Sequence, residues 1–288
     1  MKAKLWMIWV VLWSCGCAGF EQKQVLYGAN QQVKGERTLK DGILQGPYKN
    51  YYDSGQLKDE GTFINNQLEG LFRTYFENGK VEKEMHYANN LLEGPSITYR
   101  ADGSVLEKAH YKANKLDGRV ERYYQFNGNL KEIAHYKNDV FEGEHLLYFT
   151  SGKLREKSIC SGGNKNGLSV TYTEEGKIAS ESEYKNGVLE GLMKVYYPAG
   201  TVQELIDYVA GLRHGVMKRY DPDGTLRSES HFLKGQKNGP AKTYTEKGLL
   251  EREETYRNDR LDGPARRYDA KGRILEETFF KDGEPEKQ

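Results

Sequence analysis

Histidine returns at one place in this chain's pattern: His86, His110 and His135 occupy equivalent positions, and His231 repeats them later. Imidazoles in register suggest a zinc site. If each interval is filled by two strands, however, neighbouring equivalents stand ~9–10 Å apart. One zinc draws its ligands to ~2 Å, so no metal is expected. Glutamate recurs in the same way at Glu60, Glu84, Glu181, Glu229, Glu253 and Glu277. Paired carboxylates can serve as acid and base. Regular recurrence reads instead as a solvated sheet face with lysine or arginine opposite. The chain has no glycine-rich phosphate loop, nucleophile elbow or Cys-x-x-Cys pair. A non-enzyme without cofactors is the expectation.

The elements behind these residues follow from a strict period. Ten glycines lead ten units: Gly46, Gly70, Gly94, Gly118, Gly143, Gly167, Gly191, Gly215, Gly239 and Gly263. Five residues after each stands a tyrosine: Tyr51, Tyr75, Tyr99, Tyr123, Tyr148, Tyr172, Tyr196, Tyr220, Tyr244 and Tyr268. A second glycine follows, beginning Gly55, Gly79, Gly103 and Gly128. Every step is 24 residues except one of 25, where Gln125-Phe126-Asn127-Gly128 carries an extra residue. Such self-similarity marks an array of identical supersecondary units.

Each unit reads as a hairpin. In Gly70–Glu93, the run Leu71–Phe76 is followed by Glu77-Asn78-Gly79, then by Val81–Tyr87 and Asn89-Asn90. Runs of this length, bounded by Gly and Asn, are strands. A left-handed glycine at Gly79 closes a three-residue loop with a bulge and places Tyr75 opposite Val81. The second turn carries only Gly, Asn or Asp, as in Asn186-Gly187 and Asp282-Gly283, which suits a two-residue turn. Period-two alternation puts Val81 and Tyr87 on one face, with Glu82, Glu84 and His86 on the other. A bulge near Gly70 is expected to bring Leu68 and Tyr75 to the same face.

The expected fold is all-β: an elongated single-sheet solenoid of consecutive antiparallel β-hairpins in 24-residue repeats. Composition agrees, with 37% hydrophobic and 30% charged residues, a mean hydropathy of -0.83 and 21 Tyr. The expected layout is a signal peptide over 1–14, a lipidated N-terminus and tether over 15–21, and a repeat array over 22–286. Within the array, 22–45 is a degenerate first unit and 46–286 holds ten units; 287–288 is a tail. Gln31 replaces the turn glycine in the first unit, which looks like a cap.

The Gly-x4-Tyr-x3-Gly-x-(Leu/Val) unit resembles the MORN-repeat variant of bacterial proteins, a group that includes YwqK-type antitoxins. The resemblance covers residues 22 to 286. It implies a curved antiparallel sheet of hairpins without catalytic machinery.

Lys2 and Lys4 precede the apolar stretch Leu5–Trp13, which is far shorter than the roughly 20 residues of a membrane-spanning helix. Leu12-Trp13-Ser14-Cys15 resembles the bacterial lipobox, which implies acylation, palmitate included, at Cys15, with Cys17 as the alternative. The expected location is the cell envelope, on the outer membrane if the source is Gram-negative. Cys160 stands in an aromatic position and reads as an inert buried thiol. Without Lys2 and Lys4 the chain has 41 basic and 42 acidic residues, so no nucleic-acid partner is expected. The expected function is binding of a protein partner by a membrane-anchored scaffold, as an antitoxin or immunity-like inhibitor. The alternative is a structural role against lipid, peptidoglycan or another surface glycan. Contact residues would come from variable positions such as Arg73, Arg100, Arg122, Phe126 and Arg219.

Overall fold

The computed structural model describes residues 20–286. Cys15, Cys17, the apolar leader and the tail at 287–288 lie outside the described residues. The described chain is entirely β, with strands in antiparallel hairpins and no helix. It divides into two compact units, the first ending at Val140 and the second beginning at Phe141.

In the first unit, Gln67–Tyr75 pairs with Val81–Ala88 in the register Gly70↔Tyr87, Phe72↔Met85 and Arg73↔Glu84. Tyr75 then falls opposite Val81, across a shift next to Thr74. The turn between them has the expected chemistry. Gly79 lies at φ 80, its N–H donates to the Phe76 carbonyl at 2.9 Å, and Phe76 N–H donates to Lys80 at 2.8 Å. At the other end Asn89 and Asn90 have φ 51 and 67, and Ala88 pairs with Leu91. Positive φ at both central residues gives the turn whose twist matches the strands.

The bulge near Gly70 is present. On the side of the preceding strand the register jumps from Glu60↔Arg73 to Thr62↔Glu69, and Gly70 adopts φ 76. It does not bring Leu68 and Tyr75 together. A Cβ on Gly61 would meet Phe72 at 2.7 Å and Leu68 at 3.1 Å, so those two side chains share the face of Phe63 and Met85. Tyr75 lies on the opposite face, where its hydroxyl donates to Glu60 at 2.6 Å. The single aromatic and aliphatic stripe expected from alternation is therefore two surfaces. The cause is the extra residue, Glu82, in the strand opposite Tyr75. It resets the alternation, so Val81 follows Tyr75 while Met85 and Tyr87 follow Phe72.

The second unit repeats this register, for example Gly215↔Phe232, Met217↔Ser230 and Tyr220↔Leu226. Burial is thin in both. Val120 and Ala134 are fully buried in the first, and Ile206, Met217 and Phe232 form a cluster with Tyr208 in the second. All sit on the Phe72 face, where small residues such as Ser158 and Ser182 are buried too. Order comes from repeat stacked on repeat, not from a globular core.

Candidate interaction surface

On the Tyr75 face the recurring residues spend their hydrogen bonds inside the array. Tyr51, Tyr75, Tyr99, Tyr196, Tyr244 and Tyr268 each donate a hydroxyl to the glutamate 15 residues earlier, at 2.6–3.1 Å. That glutamate belongs to the preceding repeat. Arg73 lies between two of them, 2.9 Å from Glu84 and 3.9 Å from Glu60. Its hydrogen bond holds the Glu84 carboxyl below the usual range, with the Tyr99 hydroxyl adding to the effect against partial burial. Burial and the bond to Glu60 push the Tyr75 phenol up to about 12. These glutamates are acceptors in a ladder that links neighbouring repeats.

The histidines close off carbonyls instead of converging. His86, His110 and His231 place Nδ1 2.9–3.0 Å from the backbone oxygens of Pro95, Asp117 and Pro240, next to the bulge glycines Gly94, Gly118 and Gly239. Among the described residues no three His, Cys, Asp or Glu side chains lie close enough to hold a metal ion. Cys160 is 5% exposed and burial pushes its thiol up, as suits a buried thiol in an aromatic position.

The two-residue turns are tied in the same direction. Asn90 donates its N–H to the Leu68 carbonyl at 3.1 Å, and its side-chain oxygen accepts from Leu68 N–H at 2.6 Å. Asn66, Asn114, Asp139 and Asp259 repeat the side-chain bond. The residue before the bulge glycine joins in: Glu69 and Glu93 accept from the N–H of Asn89 and Ala113 in the next turn. Alternation alone did not reveal this role. An acid or amide before most bulge glycines was its sequence signal.

The variable positions divide. Arg73 belongs to the glutamate ladder, Arg100 donates to the Tyr123 and Tyr124 carbonyls, and Arg122 bonds Glu107 and Glu132 at 2.8 Å. These three hold repeats together. Phe126 does not: it is 73% exposed, on the loop lengthened by one residue. It lies 5.7 Å from the Tyr124 ring and borders a cleft of about 440 Å³ with Thr98, Leu106, Arg122 and Lys131. Arg219 in the second unit is also outward, with Glu204 as its ion partner at 2.8 Å.

Sequence reasoning missed one substitution pattern. Two residues before the bulge glycine, the first unit has Leu44, Leu68, Leu92 and Leu116, whereas the second has Lys165, Arg213 and Lys237 at three such places. These cations sit over Tyr184, Phe232 and Tyr256, at 5.2, 4.2 and 4.7 Å from the ring centres.

Fold and surface together define a hairpin-repeat scaffold whose recurring pattern serves neighbour contacts. The MORN repeat variant model matches residues 44–65, 68–89, 92–113, 116–138, 165–186, 189–210 and 213–234, more than half of the chain. The chain belongs to that family. The segments around Gly143, Gly239 and Gly263, which the model does not match, keep the same register. No curated protein matches the chain. Among solved structures, the crystal structures of TcdB2-TccC3-Cdc42 and of TcdB2-TccC3 align at 14% and 13% identity over 91% of this chain, each with a TM-score of 0.16. The chain spans about a fifth of those chains, 21% and 22%.

Proposed function

We propose that this chain is a non-enzymatic scaffold that binds a protein partner from the surface of the cell envelope. The observation that carries the reading is Phe126, 73% exposed beside a cleft that Arg122 helps to line. An outward aromatic with arginine close by is the composition of interface hot spots. The residues of the recurring pattern are occupied by neighbouring repeats, which leaves recognition to departures from it.

In its concrete form the proposal is a bacterial YwqK-like antitoxin, an immunity-like inhibitor of a toxin that acts in the envelope. Anchoring is by acylation of Cys15, or of Cys17, supported by the apolar leader and Leu12-Trp13-Ser14-Cys15. Among the described residues no helix is long and apolar enough to cross a membrane. A glycan-contacting structural role is the second reading, favoured by the tilted Tyr124–Phe126 ring pair, which suits stacking on sugars.

Affinity capture from the native envelope, with residues 20–288 as bait, tests the proposal. One secreted protein recovered in stoichiometric amount by the wild type, and lost with Phe126→Ser, is the expected result. Recovery of peptidoglycan with no protein would overturn it in favour of the second reading.

A further inference from the structure

We infer that the second unit carries a groove for an acidic, extended protein segment, with carboxylates four residues apart gripped by Arg219 and Arg252. The inference rests on the protein-binding reading and names the chemistry of the partner.

The register lines up Arg219, Ser228, Thr243 and Arg252 as direct neighbours on four successive strands. Two hydroxyls thus lie between two guanidinium groups. In the next row Ser230 and Ala241 are small and leave a depression of about 260 Å³ with Met217 and Phe232 at its side. Arg213 and Lys237, in the place of leucine, bring two more cations to the rim.

Charge decides the kind of ligand. Four cations meet two carboxylates, Glu204 at 2.8 Å from Arg219 and Glu254 at 3.1 Å from Arg252. The local excess is positive, in a chain whose 43 basic residues nearly equal its 42 acidic ones. Both arginine side chains remain 59% exposed, so each fork has donors left for an incoming carboxylate.

Spacing decides its form. Arg219 and Arg252 stand three strands apart, ~14 Å at ~4.8 Å per strand. In an extended chain, residues i and i+4 lie ~13–14 Å apart with side chains on one side. The residue between them sits over Ser228 and Thr243, whose hydroxyls can donate to its backbone carbonyl. The large apolar side chains of the groove, Met217 and Phe232, are buried at 9% and 6% exposure, so the groove offers no apolar group to insert into a bilayer. This favours a protein segment over a lipid surface.

The test is fluorescence anisotropy with residues 20–288 and a labelled Ser/Gly peptide carrying glutamates at i and i+4. A peptide of equal charge with glutamates at i and i+1 is the control. The expected result is preference for the wider spacing, with Arg219→Gln and Arg252→Gln each weakening it roughly fivefold. Arg273→Gln, at a distant turn where Arg273 pairs with Asp269, should leave binding unchanged. Circular dichroism confirms that each variant is folded. Equal affinity for both peptides, no effect of the groove variants, equal competition by inorganic phosphate, or binding of phosphatidylglycerol vesicles in place of peptide would each overturn the groove. Envelope capture separates the two ideas: a partner retained by the Arg219→Gln/Arg252→Gln bait refutes the groove alone. The absence of any protein partner with the wild type refutes the broader reading.

Discussion

Replacing Tyr75 by phenylalanine removes one hydroxyl and little else. That hydroxyl donates to Glu60 at 2.6 Å. A hydrogen bond to a charged acceptor contributes about 1.5–3 kcal/mol net when well buried. Here Glu60 is 27% exposed and keeps Arg73 at 3.9 Å and Lys49 at 4.0 Å, so it is not left unpaired. Solvent screening brings the expected cost of Tyr75→Phe to about 1 kcal/mol. Tyr220 provides the internal control. It has the same place in its repeat, but the residue 15 positions earlier is Leu205, which has no acceptor. Tyr220→Phe should cost less than about 0.3 kcal/mol. Urea denaturation followed by circular dichroism measures both, and amide exchange locates the loss, since coupling runs between neighbouring repeats. If Tyr220→Phe cost as much as Tyr75→Phe, the tyrosines would act through ring packing and the ladder argument would be refuted.

Asn90→Gly keeps the positive φ but removes the acceptor of Leu68 N–H, so a loss of about 0.5–1 kcal/mol and faster exchange of the Leu68 amide are expected. Gly118→Ala should cost about 1–3 kcal/mol in urea, because φ is 122 and the new Cβ would lie 3.3 Å from the His110 Cβ. The phenols of Tyr75, Tyr123, Tyr244 and Tyr256 are raised from 10.0 to about 12, first by burial and then by their glutamate partners. Their folded values exceed the unfolded one, so the stability they contribute is complete below pH 10 and falls as pH rises toward 12. Phenolate absorbance and circular dichroism recorded together should show that loss. Cys15→Ser should abolish incorporation of a fatty-acid label if Cys15 is the acylated residue; label retained in Cys15→Ser and lost in Cys17→Ser would place it at Cys17.

Turn chemistry made much of the fold legible. The glycine at Gly79 and the pair Asn89-Asn90 set both loops, and the opposition of Tyr75 and Val81 followed from loop length. The assignment of faces did not follow. One residue, Glu82, reverses the parity of everything after it, and a pattern of alternating polarity carries no mark of where a strand bulges. The recurrence of the histidines and glutamates was plain in the sequence, and the structure gives members of both sets hydrogen-bond partners within the array. The tyrosine and carbonyl partners were hidden because they lie in the next repeat, across a turn. The second-unit cations at Lys165, Arg213 and Lys237 were visible as breaks in a column of leucines. Only the ring beneath each one gives the break a physical meaning.

The longer loop at Gln125-Phe126-Asn127-Gly128 has a consequence for how such a chain can change. Despite the added residue, Tyr123 still stands opposite Leu130, as Tyr75 stands opposite Val81. The loop absorbs the extra length and the strands restart in phase. A guest segment placed there would be displayed without disturbing the ladders, whereas one residue added inside a strand would turn every later side chain to the wrong face. Change in this chain therefore has two permitted forms. Whole 24-residue cassettes can be copied or lost, because each bond of the ladder reaches only the adjoining unit. The lengthened loop at Gln125-Phe126-Asn127-Gly128 can be rewritten, which makes it the editable part of an otherwise fixed lattice.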